Sequence, residues 1–140
     1  MNGIEYELQV AMLARLKGSP LITIDVYDQI PGSAVYPYIS IDEITALPYR
    51  TKTYEGLEIS ALLSVLSDRG GQGTVKKHMA AVRAALTKPL ELREGHKVDF
   101  QEFTGSNIVE FTDEDVIYPS IKQGVLTFRF KIKETKGTET

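Results

Sequence analysis

Gly124-Val125-Leu126-Thr127-Phe128-Arg129-Phe130-Lys131-Ile132-Lys133 alternates apolar and polar side chains from Leu126 onward without a break. Successive side chains of an extended chain point to opposite faces, so Leu126, Phe128, Phe130 and Ile132 share one side and Thr127, Arg129, Lys131 and Lys133 the other. A period of two this regular predicts a strand with one face on a core and the other turned away from it.

Similar signals lie upstream. From Tyr54 to Ser67, Leu57, Ile59, Ala61, Leu63 and Val65 alternate on one face, while Glu58, Ser60 and Ser64 take the other, interrupted by Leu62 and Leu66. Such a strand is covered on one side and half apolar on the other, a surface suited to a neighbouring subunit. Val35 to Leu47 is a further strand run, joined to it by the polar, aromatic and basic connection Pro48-Tyr49-Arg50-Thr51-Lys52-Thr53. Leu21 to Ile30 is rich in β-branched residues and precedes a Pro31-Gly32 turn, and Pro37 points to an edge or bulge because a ring nitrogen donates nothing to a ladder. Val98 to Phe103 and Ile108 to Phe111 read as short strands around a turn-rich linker, Thr104-Gly105-Ser106-Asn107.

Two segments repeat with helical spacing instead. Ile4, Leu8, Met12 and Leu16 recur every four residues until Gly18 and Pro20, and Val75, Met79, Val82 and Leu86 form a stripe from an N-cap at Thr74 to a stop at Pro89. The expected fold class is α+β: an antiparallel sheet of about five strands, with the helix from Thr74 to Lys88 packed on one face and the N-terminal helix beside it. Residues 1–134 are expected to form one domain, and 135–140 a flexible tail.

Composition narrows the function. With no cysteine among 140 residues, disulfides and thiolate metal sites are excluded. A net charge of −3 argues against an electrostatic grip on nucleic acid. The apolar runs are short, and Glu5 and Glu7 stand where a signal peptide needs positive charge, so neither secretion nor a membrane span is expected.

The chemical motifs are weak. Gly70, Gly71 and Gly73 precede a helix, but neither a dinucleotide fingerprint nor a P-loop follows, and a flexible linker is the plainer reading. His96 and Asp99 are two ligands at most, which do not make a metal site, and an exposed turn histidine is expected. Asp113, Glu114 and Asp115 have the composition of a solvated loop, whereas acid catalysis needs a buried carboxyl with a raised pKa. No catalytic residue, metal or cofactor is expected. Tyr49, Arg50, Lys52 and Tyr54 interleave aromatics with positive charge, the residue types of protein interfaces, and Leu62 and Leu66 join them as candidate contact residues.

A resemblance runs through these segments. Val26-Tyr27-Asp28, Pro31-Gly32-Ser33-Ala34 and Pro37-Tyr38 are followed by Glu58 to Ser67, by Val82-Arg83-Ala84-Ala85-Leu86, and by Lys122 to Phe130. In this order and spacing, over nearly the whole chain, the sequence resembles the small tail-completion (tail-terminator) proteins of long-tailed bacteriophages, prophages and gene-transfer particles. Leu66 departs from the tryptophan expected of the family near the end of that strand.

The resemblance implies a structural virion protein without catalysis, assembled in the host bacterial cytoplasm and located at the head-proximal end of the tail. It implies a ring, a hexamer, that caps the tail tube, stops its polymerisation and joins it to a head-side connector. The implied partners are further copies of the chain, the major tail tube protein and the connector or stopper, with DNA only as passing cargo. Another neck adaptor, such as a head-completion or stopper protein, is the alternative. A small hydrolytic enzyme using the acidic cluster is the remote one.

Overall fold

The computed structural model describes residues 3–50, 55–68, 71–93, 96–111 and 121–134, with Tyr49 as backbone only. Helix α1 (Ile4–Gly18) leads to β1 (Asp25–Tyr27), β2 (Tyr38–Arg50) and β3 (Glu55–Ser67). Helix α2 (Gln72–Ala85), β4 (Lys97–Phe111) and β5 (Ile121–Glu134) complete the order. The strands form one sheet in the order β1-β2-β3-β5-β4. The expected α+β class is observed.

The alternating strands pair with each other. β3 and β5 are antiparallel, with Ile59 opposite Phe130, Ala61 opposite Phe128 and Leu63 opposite Leu126, and all six side chains are buried beneath the helices. Both helices lie on that face, α1 over β1 and β2 and α2 over β3 and β5. The four-residue spacing of α1 buries Ile4, Leu8, Met12 and Leu16, and α2 buries Val75, Met79 and Val82. Arg15 ties the helices together, donating from Nη1 to the carbonyls of Ala85 (3.0 Å) and Lys88 (2.9 Å) and from Nη2 to Pro89 (3.2 Å). The first of these bonds satisfies a carbonyl that the end of α2 leaves without a helical partner, and the other two hold the segment just beyond it.

Several expectations are corrected. The sheet is mixed, because β1 pairs with β2 in parallel. Of the strand expected over 21–30, only Asp25–Tyr27 joins a ladder; Ile22, Ile24 and Val26 still pack inward with strand alternation, but β2 offers partners for three residues only. β2 starts just after Pro37 and runs through Pro48 to Arg50. It tolerates Pro48 because β1 has ended by then and only β3 is its neighbour.

The linker expected at Thr104–Asn107 lies inside the continuous strand β4. Its turn-forming residues are absorbed as a register shift between Phe103 and Gly105, where Thr104 Oγ1 donates to the Thr127 carbonyl (3.1 Å). Helix α2 begins at Gln72 with Gly71 as its N-cap, so Thr74 sits within the first turn and donates its own N–H to the Gly71 carbonyl. It ends at Ala85, with Leu86 as C-cap, three residues before the expected Lys88. Lys52, Tyr54, Gly70, the acidic cluster Asp113–Asp115 and the expected tail 135–140 lie outside the described residues.

Gly56 in β3 lies against the β5 backbone, and a Cβ there would lie 2.0 Å from the Ile132 carbonyl oxygen. That neighbour is backbone and cannot swing aside. Gly56→Ala is expected to lower stability by about 3 kcal/mol, the upper end of ordinary overpacking, read as a lowered urea midpoint at unchanged m-value.

Candidate protein interface

The sheet has one face under the helices and one without them. On the second face β3 presents Glu58, Ser60, Leu62, Ser64 and Leu66, the residues that interrupt or oppose the buried alternation. Leu62 and Leu66 are half-buried there, beside the side chains of the flanking strands. Leu62 pairs with Glu43 and Thr127, and Leu66 with Tyr38 and Gln123. Leu47, in β2 opposite Glu58, extends the apolar part of this face and is 60% exposed.

Polar groups on the face are tied to each other. A register shift between Ile41 and Glu43 frees Asp42 from pairing, and its carboxylate accepts from Ser40 Oγ (2.5 Å) and Ser64 Oγ. Gln123 Nε2 in turn donates to Ser64 Oγ (2.9 Å). Both serines are buried, so Asp42 satisfies hydroxyls that would otherwise stand dry inside β2 and β3. Further along, Arg129 Nε lies 3.4 Å from Glu58 Oε2, with the guanidinium 5.2 Å from the centre of the Phe100 ring.

At the other end three tyrosines cluster. Tyr36 stacks on Tyr38 at 5.4 Å, and Tyr27 meets Tyr38 edge-on at 5.6 Å. Burial, and then the Asp42 charge, push the Tyr38 phenol above its ordinary value; desolvation, and then Asp25, which accepts from Tyr27 Oη, do the same for Tyr27. Both phenols therefore remain protonated donors. The tyrosine cluster and the Asp42 network were not singled out by the sequence reading. The signals were present in the same-face pair Tyr36 and Tyr38 and in serines set among strand apolars.

Among the described candidate contact residues, Arg50 stands apart from Leu62 and Leu66. Arg50 ends β2 and forms an exposed ion pair with Glu55 (3.1 Å) across the strand pair, while Leu62 and Leu66 lie further along the sheet. Tyr49 pairs with Gly56 through the ladder.

His96 is not the exposed turn histidine expected. Its side chain is 10% exposed and its Nδ1 lies 3.3 Å from both oxygens of the buried Glu7, whose Oε1 also accepts from Arg93 N–H (3.1 Å). Glu7 therefore anchors the segment before β4 to α1, and His96 turns to it instead of forming a pair with the exposed Asp99. Among the described residues no three His, Cys, Asp or Glu come together as a metal site, and no helix is long and apolar enough to cross a membrane.

The sequence of residues 10–133 matches the family described as tail completion protein gp17. The chain belongs to this family. It is a structural protein of the phage tail, placed in the virion. Among solved structures, a chain described as "Virion of native gene transfer agent (GTA) particle" superposes with a TM-score of 0.81 at 24% identity. The alignment covers 96% of this chain and 100% of that one, and at this identity the likeness speaks to the fold. No curated protein matches the sequence.

For this tail-completion protein, Asp42→Ala is expected to cost about 2 kcal/mol, because two buried hydroxyls lose their acceptor. Chemical denaturation checks it, and Asp42→Asn should retain part of the loss because its amide oxygen still accepts one bond.

Proposed function

We propose that the protein is a tail terminator: copies close into a ring, a hexamer, over the end of the completed tail tube. The ring stops addition of the major tail tube protein and offers the head-side connector its docking surface. The family match over residues 10–133 carries this reading. The two-faced sheet supports it physically, since the helices cover one face and leave the other with Leu62 and Leu66 only half-buried. A neighbouring copy packs against that half-apolar face, and Arg50, with Tyr49, Lys52 and Tyr54, reaches towards tube or connector.

The work is done by shape. A tube grows because each added subunit recreates the surface it bound, so a terminator must complement that surface on one side and fail to reproduce it on the other. No catalytic group is needed, and DNA passes through as cargo. The net charge of −3 suits a channel wall that must not hold the duplex.

Electron microscopy of particles made without this protein tests the reading. Tails of irregular, excessive length that do not join heads are expected. Normal length and normal joining would refute termination, while normal length with failed joining would assign the protein to another neck adaptor.

The contact residues have their own test. Leu62→Asp with Leu66→Asp should leave a cooperatively folding chain and lower the yield of joined particles about tenfold or more, as loss of an interface anchor does.

A further inference from the structure

The helical layer has a groove along each flank, and the two carry opposite charge. On one flank the first turn of α1 overhangs the part of β2 beyond the short β1. Glu5, Asp28, Asp42 and Glu43 line this groove with no lysine or arginine among its lining residues, and Tyr6 stands in it 56% exposed. On the other flank α2 covers β3 and β5, leaving a groove of about 500 Å³ against the edge strand β4. Lys76 and Arg83 line that groove with no carboxylate among its lining residues, and the small side chain of Ala80 keeps its helical wall low.

The contrast extends beyond the lining. Helix α2 carries Lys76, Lys77 and Arg83 and no acidic residue, in a chain whose acids outnumber its bases by 19 to 16. Met79 and Ile108 give the basic groove an apolar floor, and Arg83 Cζ lies over the Phe103 ring at 4.0 Å from its centre. The sheet order places the acidic groove beside β2 and the basic groove beside β4, at opposite sides of the molecule.

Resting on the ring reading above, we propose that copies join head to tail, with the acidic α1–β2 flank of one seated in the basic α2–β4 groove of the next. A two-fold contact would set like charge against like. A head-to-tail contact instead pairs the two grooves and leaves each copy ready to bind another, which is the geometry that closes into rings. Tyr6 supplies an aromatic anchor for the low wall at Ala80. Leu62, opposite Glu43 across the β2–β3 ladder, lies on the helix-free face, so the apolar part of that face borders the contact at the β2 edge and does not line the groove. A nucleic-acid backbone is the poorer occupant, because two cations over an apolar floor in an acidic chain do not track a row of phosphates.

Charge exchange tests the contact. Lys76→Glu with Arg83→Glu makes both flanks acidic, and Asp28→Lys with Glu43→Lys makes both basic. All four charged positions are exposed, so each chain should keep the wild-type circular dichroism and a thermal midpoint within a few degrees. Each chain produced alone is expected to lower joined-particle yield at least about tenfold, and the two produced together should restore it by alternating around the ring. A chain with all four substitutions should restore it as well.

Wild-type yield from either two-substitution chain alone overturns the proposal, as does failed rescue by two normally folded chains. Microscopy of wild-type tail ends separates the causes: a ring that persists while charge exchange fails rejects only this contact, and wild-type tails without a ring reject the reading beneath it. If the Lys76→Glu, Arg83→Glu chain still forms rings but loses a salt-dependent affinity for duplex DNA that the wild type shows, the groove belongs to nucleic acid and the proposal falls.

Discussion

The antiparallel ladder between β3 and β5 is the constraint on which the rest of the molecule depends. It runs unbroken from Glu55–Glu134 to Ser67–Lys122. With no bulge, its side-chain parity never slips, so every core residue of the two strands arrives on one face. The helices then have a continuous apolar surface to cover. Gly124 brings α2 down onto it, because a Cβ at that position would lie 2.3 Å from Met79 Sδ and 2.7 Å from Val75 Cγ1. Irregularities are confined to the strands outside this pair, at Ile41–Glu43 in β2 and at two places in β4. There the chain can bend without disturbing the core.

Fixing parity also fixes what the second face can be. Once Ile59, Ala61 and Leu63 are committed to the helices, Leu62 and Leu66 must point the other way, together with Ser64 and Glu58. Full burial of that face would strand Asp42, the serines and Arg129 away from water, and full solvation would expose two leucines. Mutual pairing of the polar groups, by hydrogen bonds at Asp42 and an ion pair at Arg129, eases the conflict and leaves the leucines as small apolar areas between them. A face of this kind can meet water or a protein at little cost, as is required of a subunit that must exist before its assembly does.

Where sequence reading succeeded and where it did not follows the range of the interactions. The strands at 54–67 and 124–133 and the stripes of α1 and α2 were legible because alternation and helical spacing are local properties of the side chains. Parallel pairing of β1 was not, since it depends on how the chain returns from Pro31 to Tyr38, and the same residues would suit either direction. The linker expected at Thr104–Asn107 failed for a related reason. Gly, Ser and Asn favour turns only where no partner strand is present, and β5 supplies one throughout. At the candidate interface, the half-apolar character of Leu62 and Leu66 could be read from interrupted alternation. The acceptor role of Asp42 and the burial of His96 against Glu7 could not, because their partners lie 22 and 89 residues away.

The open edges of the sheet bear on the proposed ring. A bare edge strand invites another chain to extend the ladder, and such pairing would be indifferent to which copy arrives. Here β2 beyond β1 contains the register shift at Asp42 and the missing donor of Pro48, while β4 carries two shifts along its length. Ladder extension is therefore poor at both edges. In the proposed ring, contact between copies then falls to side chains, where charge and shape discriminate, and the flanks of the helical layer hold complementary sets. In a terminator this ordering has a physical rationale: backbone pairing propagates readily, whereas an interface of side chains set at a fixed angle closes on itself and stops.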